Sequence, residues 1–168
     1  MVLLHRRKSD PFGNWFGFSH NPDTISNRRN TRRSHRDVEG ITTSTCQQLA
    51  NIIGGDVITS SPACVVQRNR NINATILGLR TESPLALPFA LSFENNGINL
   101  GESVILQREV NPLMTELRKR GLIVTAVHNH WLFENPRLMY MHWENAGDDP
   151  FKFATDSFEA ARAAGLFR

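Results

Sequence analysis

The 168-residue sequence predicts an α+β fold, a largely antiparallel sheet of about six strands with three helices. Three observations predict it. Apolar stripes at helical spacing occur in three separate places. Segments that alternate apolar and polar residues fall in a group of four and a group of two between them. The turn signals inside those groups are short enough for the chain to double back on itself.

The first stripe is Cys46, Leu49, Ala50 and Ile53, with Thr42 or Ser44 to cap its start and Gly54 to close its end. Ala63–Gln67 and Ile72–Leu79 follow as strands, the second because Ile72, Ala74 and Ile76 alternate with Asn73 and Thr75. Phe89, Leu91 and Phe93 alternate again, Asn95-Asn96-Gly97 supplies a turn, and Ile98–Leu106 returns as a strand. Val110, Leu113, Met114 and Leu117 mark a second helix over Glu109–Arg120, where Pro112 is tolerated only in the first turn. Arg118, Lys119 and Arg120 suit the negative end of its dipole, and Gly121 its C-cap. Leu122–His130 is apolar on both faces, which predicts a central strand covered on both sides. A further strand runs from Pro136 or Arg137 to about Glu144. Asp149 as N-cap and Pro150 at the first helical position open the last helix; Phe151, Ala154, Phe158 and Ala161 form its stripe, and Gly165 ends it.

The composition, 40% hydrophobic and 21% charged, is that of an ordinary globular chain, and no apolar run approaches the length of a helical membrane span. Cys46 and Cys64 are too few for a disulfide framework and form no CxxC pair. Charge is unevenly placed. Residues 1–40 carry eight Lys or Arg against four acids, whereas the rest carry eleven against twelve. These forty residues show neither helical nor strand periodicity, so they are expected to be a flexible basic arm ahead of a single α+β domain over residues 41–168. Arg28-Arg29 and Arg32-Arg33 make nucleic acid a partner only through this arm, and Phe12, Trp15, Phe16 and Phe18 make a docking peptide the other active reading of it.

Three of the six histidines, His5, His20 and His35, are scattered in the arm; the other three lie in V-H-N-H-W-L-F-E-N-P-R-L-M-Y-M-H. His128 and His130 are two apart, hence on one face if the segment is a strand. A turn centred at Asn135, where Pro136 belongs, pairs His128 with His142 and His130 with Tyr140. Three imidazoles then converge, each able to approach a metal to about 2.0–2.1 Å with a fourth position left for water. Zinc is the default ion, other divalent metals being compatible with the same ligands. A register slip of one residue would send His142 to the opposite face and leave isolated structural histidines instead. Glu134 is a candidate base or fourth ligand, Arg137 a candidate anchor for an anionic substrate, and Asn129, Trp131, Tyr140 and Glu102 candidate ligand-binding residues; Glu144 is a further nearby carboxylate.

From about Leu85 to the C-terminus the sequence resembles the bacterial LppY/LpqO lipoprotein-type family, a domain of unknown function. Gly101–Leu117, Ala126–His142 and Gly147-Asp148 carry the resemblance, with an HNHxxxExPRxxxxH core. It marks His128, Asn129, His130, Glu134, Pro136, Arg137 and His142 as motif positions and implies no established chemistry for them. Glu102 stands where that pattern has Asp after Gly, which keeps the carboxylate. Members often carry a leader; Val2-Leu3-Leu4 is too short for one, so a cytoplasmic location is expected here. In arrangement alone, the histidines look like the zinc hairpin of acetolactate decarboxylases and of the plant-and-prokaryote-conserved DNA-linked domain. Two functional classes follow. One is a zinc-dependent site that polarises a carbonyl or activates water, with Glu134 moving the proton. The other is a non-catalytic module that holds a small ligand or peptide, and the residues leave open whether the chain is an enzyme.

Overall fold

The computed structural model describes residues 40–167. The basic arm, its nucleic-acid reading and His5, His20 and His35 lie outside the described residues. The elements run α1 (Thr43–Ile53), β1 (Asp56–Thr59), β2 (Cys64–Asn69), β3 (Thr75–Ile76), β4 (Leu79–Arg80), β5 (Pro88–Phe93) and β6 (Ile98–Leu106). A 3₁₀ turn (Gln107–Glu109) leads into α2 (Val110–Lys119), followed by β7 (Ile123–His128), β8 (Glu134–Asn135), β9 (Leu138–Ala146) and α3 (Pro150–Ala163). Six strands form one sheet in the order β1-β2-β5-β6-β9-β7, all of whose pairings are antiparallel, and β4-β3-β8 form a small second sheet. The fold is α+β.

The helix ends follow the local chemistry. The Thr42 hydroxyl accepts from the Thr45 backbone N–H, and the left-handed Gly54 closes α1. Asp149 accepts from the Phe151 N–H, with Pro150 just inside α3. The three helices lie on one face of the large sheet. There Cys46, Leu49, Leu113, Leu117, Phe153 and Ala161 pack with Phe89, Leu91, Phe93, Met141 and Trp143 in one buried core. The Trp143 indole N–H donates to the Ser157 hydroxyl at 2.9 Å, anchoring α3 to β9. The opposite face is only partly covered. A second, smaller core of Ala74, Ala86, Leu87, Val104, Leu106, Leu138 and Tyr140 forms where the 70–87 segment folds over it.

Several expectations need correction. Leu122–His130 is not a covered central strand: β7 is the edge of the sheet, and Ile123 is 57% exposed. Its apolar outer face is simply uncovered beyond the small core. Ile72–Leu79 is not one strand but a loop, β3 and β4, reversing at Leu77-Gly78, where both residues have positive φ. β1 carries no clear alternation, since its four residues are mostly exposed, and the sequence reading omitted it. Cys46 and Cys64, expected to take no part in a disulfide framework, are bonded to one another. The packing of α1 on the start of β2 brings their Cα atoms to 5.7 Å with both side chains buried, a proximity invisible in a separation of 18 residues.

One buried ion pair ties the ends of several elements together. The Arg70 guanidinium meets the Glu109 carboxylate through both terminal nitrogens, at 2.7 and 3.2 Å, and also donates to the carbonyls of Val104 and Leu166. Glu109 accepts in addition from the Leu106 backbone N–H at 2.8 Å. Burial pushes the Glu109 carboxyl upward, but the bonds from Arg70 and Leu106 outweigh it and hold the group below its ordinary range.

Candidate metal centre

The uncovered part of the second face carries the histidines. On β9, Tyr140 and His142 point to that face, beside Val104 and Glu102 of β6 in direct register. On β7, His128 lies opposite Tyr140 and Ala126 opposite His142. The expected register is therefore displaced by two residues, which preserves the side each histidine occupies. His128 and His142 meet diagonally instead of directly, and their Nε2 atoms are 2.9 Å apart.

A bulge makes this possible. Register shifts between Val124 and Ala126, so that Thr125 is an extra residue without a partner. Val124 faces the helical core opposite Trp143, and Val127 faces the same core opposite Met141. Three residues apart, these two could not share a face in a regular strand. The inserted residue reverses the parity and delivers His128 to the open face. The sequence signal was present in that Val124–Val127 spacing, and Thr125 is the site-forming residue that the sequence reading missed.

The hairpin is also not a tight bend at Asn135. After His128 the chain leaves the large sheet, and Glu134 and Asn135 pair with Ile76 and Thr75 as β8. His130 thus sits just past the end of β7. Its ring stacks on Tyr140, with centroids 3.6 Å apart and planes within 7°. Tyr140 is itself fixed, donating to the Ala86 carbonyl and accepting from the Trp131 indole N–H, both at 2.8 Å. Burial, with the carboxylates of Glu102 and Glu134 nearby, keeps the Tyr140 phenol above its ordinary pKa despite the Trp131 bond, so the hydroxyl stays neutral.

One nitrogen from each of His128, His130 and His142 lies within 4.8 Å of the other two. Ligands at about 2.0–2.1 Å around a tetrahedral ion sit roughly 3.3 Å from one another, so modest side-chain adjustment closes the set on one ion. His128 and His130 are exposed and His142 is partly so. A cavity of about 360 Å³ borders His128 and His142 and is lined also by Leu100, Ala126 and Glu144, leaving room beside those two rings. The His130 imidazole is held below its ordinary pKa chiefly by burial, with the Glu102 carboxylate opposing and the other two histidines adding to the depression.

Other expected site residues separate into two groups. Glu102, cross-strand neighbour of His142, has its carboxylate 3.9 Å from the His130 Nε2 and is the acid placed beside the trio. Glu134, the candidate base or fourth ligand, has a fully buried side chain, 3.1 Å from the half-exposed Arg137 guanidinium, and both its oxygens lack a hydrogen bond among the described residues. The Asn129 amide donates to the Trp131 carbonyl, which shapes the loop after β7.

A family model described as Domain of Unknown Function (DUF1259) matches residues 47–163, which is more than half of the chain and includes the histidine segment. No curated protein matches the chain. No solved structure matches it.

Proposed function

We propose, for a chain that belongs to the Domain of Unknown Function (DUF1259) family, that this domain binds one divalent cation, zinc by default, through His128, His130 and His142. The observation that carries the reading is the approach of three imidazole nitrogens to within 4.8 Å of one another on an open sheet face. A single imidazole–imidazole hydrogen bond accounts for two of these rings, but not for the third beside them. Here two of them present Nε2 atoms to each other at hydrogen-bond distance beside a third. The nitrogen-only, three-ligand set suits zinc and leaves room for one exogenous ligand.

Bound there, such an ion supplies a Lewis acid that polarises a carbonyl oxygen or acidifies water. The chain's own residues do the rest. Tyr140 holds the His130 ring flat against its own and so fixes the direction of that ligand. Glu102 steadies the same imidazole and is the carboxylate best placed to take up a proton beside the ion. Glu134, buried against Arg137, holds that guanidinium near the loop and serves substrate orientation more readily than proton transfer. The HNHxxxExPRxxxxH core supports the LppY/LpqO type as the finer family assignment. The buried Cys46–Cys64 bond favours an oxidising compartment over the cytoplasmic one expected from the sequence.

The test is elemental analysis of purified full chain after dialysis. We expect about one equivalent of metal in the wild type and a loss of most of it in His128→Ala and His142→Ala, both still folded by circular dichroism. A wild type that retains no stoichiometric metal, and takes up none on titration with zinc, removes this reading.

A further inference from the structure

A second cavity, of about 690 Å³, is lined by none of the three histidines. It lies between the residues that follow β2, the 3₁₀ turn that opens α2 and the segment after α3, and its volume falls in the range of small-molecule sites, about 300–1,000 Å³. Its charged lining is Arg68, Arg70, Arg108 and Glu109, an excess of two positive charges, with Asn71 and Asn73 adding neutral donors and acceptors.

The three arginines are held differently. Arg68 is laid over the Phe167 ring, 4.7 Å from its centroid, and donates to the Ile53 carbonyl, so its charge is fixed in place without a carboxylate partner among the described residues. Arg70 is 5% exposed and spends its terminal nitrogens on Glu109, Val104 and Leu166. Its Nε–H is buried with no acceptor among the described residues. A buried guanidinium donor left unsatisfied costs free energy and is rare in folded proteins. Arg108 is exposed and enters no side-chain hydrogen bond or ion pair among the described residues.

We infer that this cavity is an anion site for a small phosphorylated molecule, with the phosphate held by the exposed Arg108 guanidinium on the side of the cavity that Arg68 also lines. A phosphate dianion matches the excess charge of the lining. Its oxygens are the acceptors that guanidinium groups bind best. The cavity is much larger than one phosphate, and Asn71 and Asn73 offer amides to the hydroxyl groups of the rest of the molecule. The inference stands apart from the metal reading, since it shares no residue with it.

Inorganic phosphate is the probe, titrated into the full chain by calorimetry at constant ionic strength, with malonate as a carboxylate arm and chloride as background. We expect saturable phosphate binding with a stoichiometry of one, weakened at least tenfold in Arg108→Ala. Arg118→Ala, on the outer surface of α2, should bind as the wild type does. Metal content should be unchanged in both of them, which separates failure here from failure of the histidine site. Binding of malonate but not phosphate overturns the phosphate assignment. Absence of saturable binding, or equal weakening by Arg108→Ala and Arg118→Ala, overturns the site itself.

Discussion

Gly101 has no space for a single methyl group. A Cβ built there would lie 2.2 Å from the Trp143 ring, and that ring cannot withdraw because it is buried and bonded to Ser157. Gly101→Ala should therefore destabilise the fold by about 1–3 kcal/mol, as overpacking of a dense core does, and urea unfolding would read it as a lower midpoint at unchanged slope. The effect reaches the site, since Trp143 follows His142 and Gly101 precedes Glu102. At this scale the sequence was informative about identity and poor about surroundings. His128, His130 and His142 declared themselves by spacing. The carboxylate beside them could not be chosen, because Glu134 is near in sequence but buried against Arg137, whereas Glu102 arrives from another strand.

Among the elements, β7 shows how a pattern can mislead and still reach the right outcome. Its apolar residues on both sides read as a strand covered twice, yet one side faces the helical core and the other is open. The inferred meeting of the histidines held because the register error was two residues, and a strand repeats every two. Neither the bulge nor the excursion through β8 followed from alternation, since both depend on partners distant in the chain. Deleting Thr125 tests the role of the bulge. The deletion removes the unpaired residue, so Val124 and Val127 stay on the helical face and His128 stays on the open face of a regular strand. We expect a folded protein that keeps its metal uptake, whereas inserting one further residue between Ala126 and Val127 should turn His128 toward the helices and abolish most of that uptake. Loss of uptake in the deletion variant, or undiminished uptake in the insertion variant, would show that strand parity does not set the site.

For the molecule as a whole, acidification has a defined direction. The Glu109 carboxyl is held below its ordinary value of 4.5 in the folded state, so the unfolded chain takes up the proton first as pH falls. The stability contributed by the Arg70–Glu109 pair is complete above that ordinary value and is lost as pH drops through the lower, folded one. Unfolding midpoints measured from pH 6 downward should decline steeply below about pH 4.5 in the wild type. Glu109→Gln should be weaker by about 3–5 kcal/mol at neutral pH, because the buried Arg70 charge loses its partner, and should flatten that decline. The large-scale order of elements was legible from caps, stripes and turns, as the bounds of β6 and the Asp149-Pro150 start of α3 illustrate. The disulfide, the ion pair and the second sheet were not, since each joins residues whose proximity only the assembled chain creates.

The trio bridges the outermost strand of the sheet and the one inside it, because His128 belongs to β7 and His142 to β9. An ion gripped there would act as a rivet at a margin that otherwise frays. Stripping it with a chelator should speed amide exchange along Ile123–His128 far more than in β5 or β6, and would leave a loosened ribbon free to pair with another molecule.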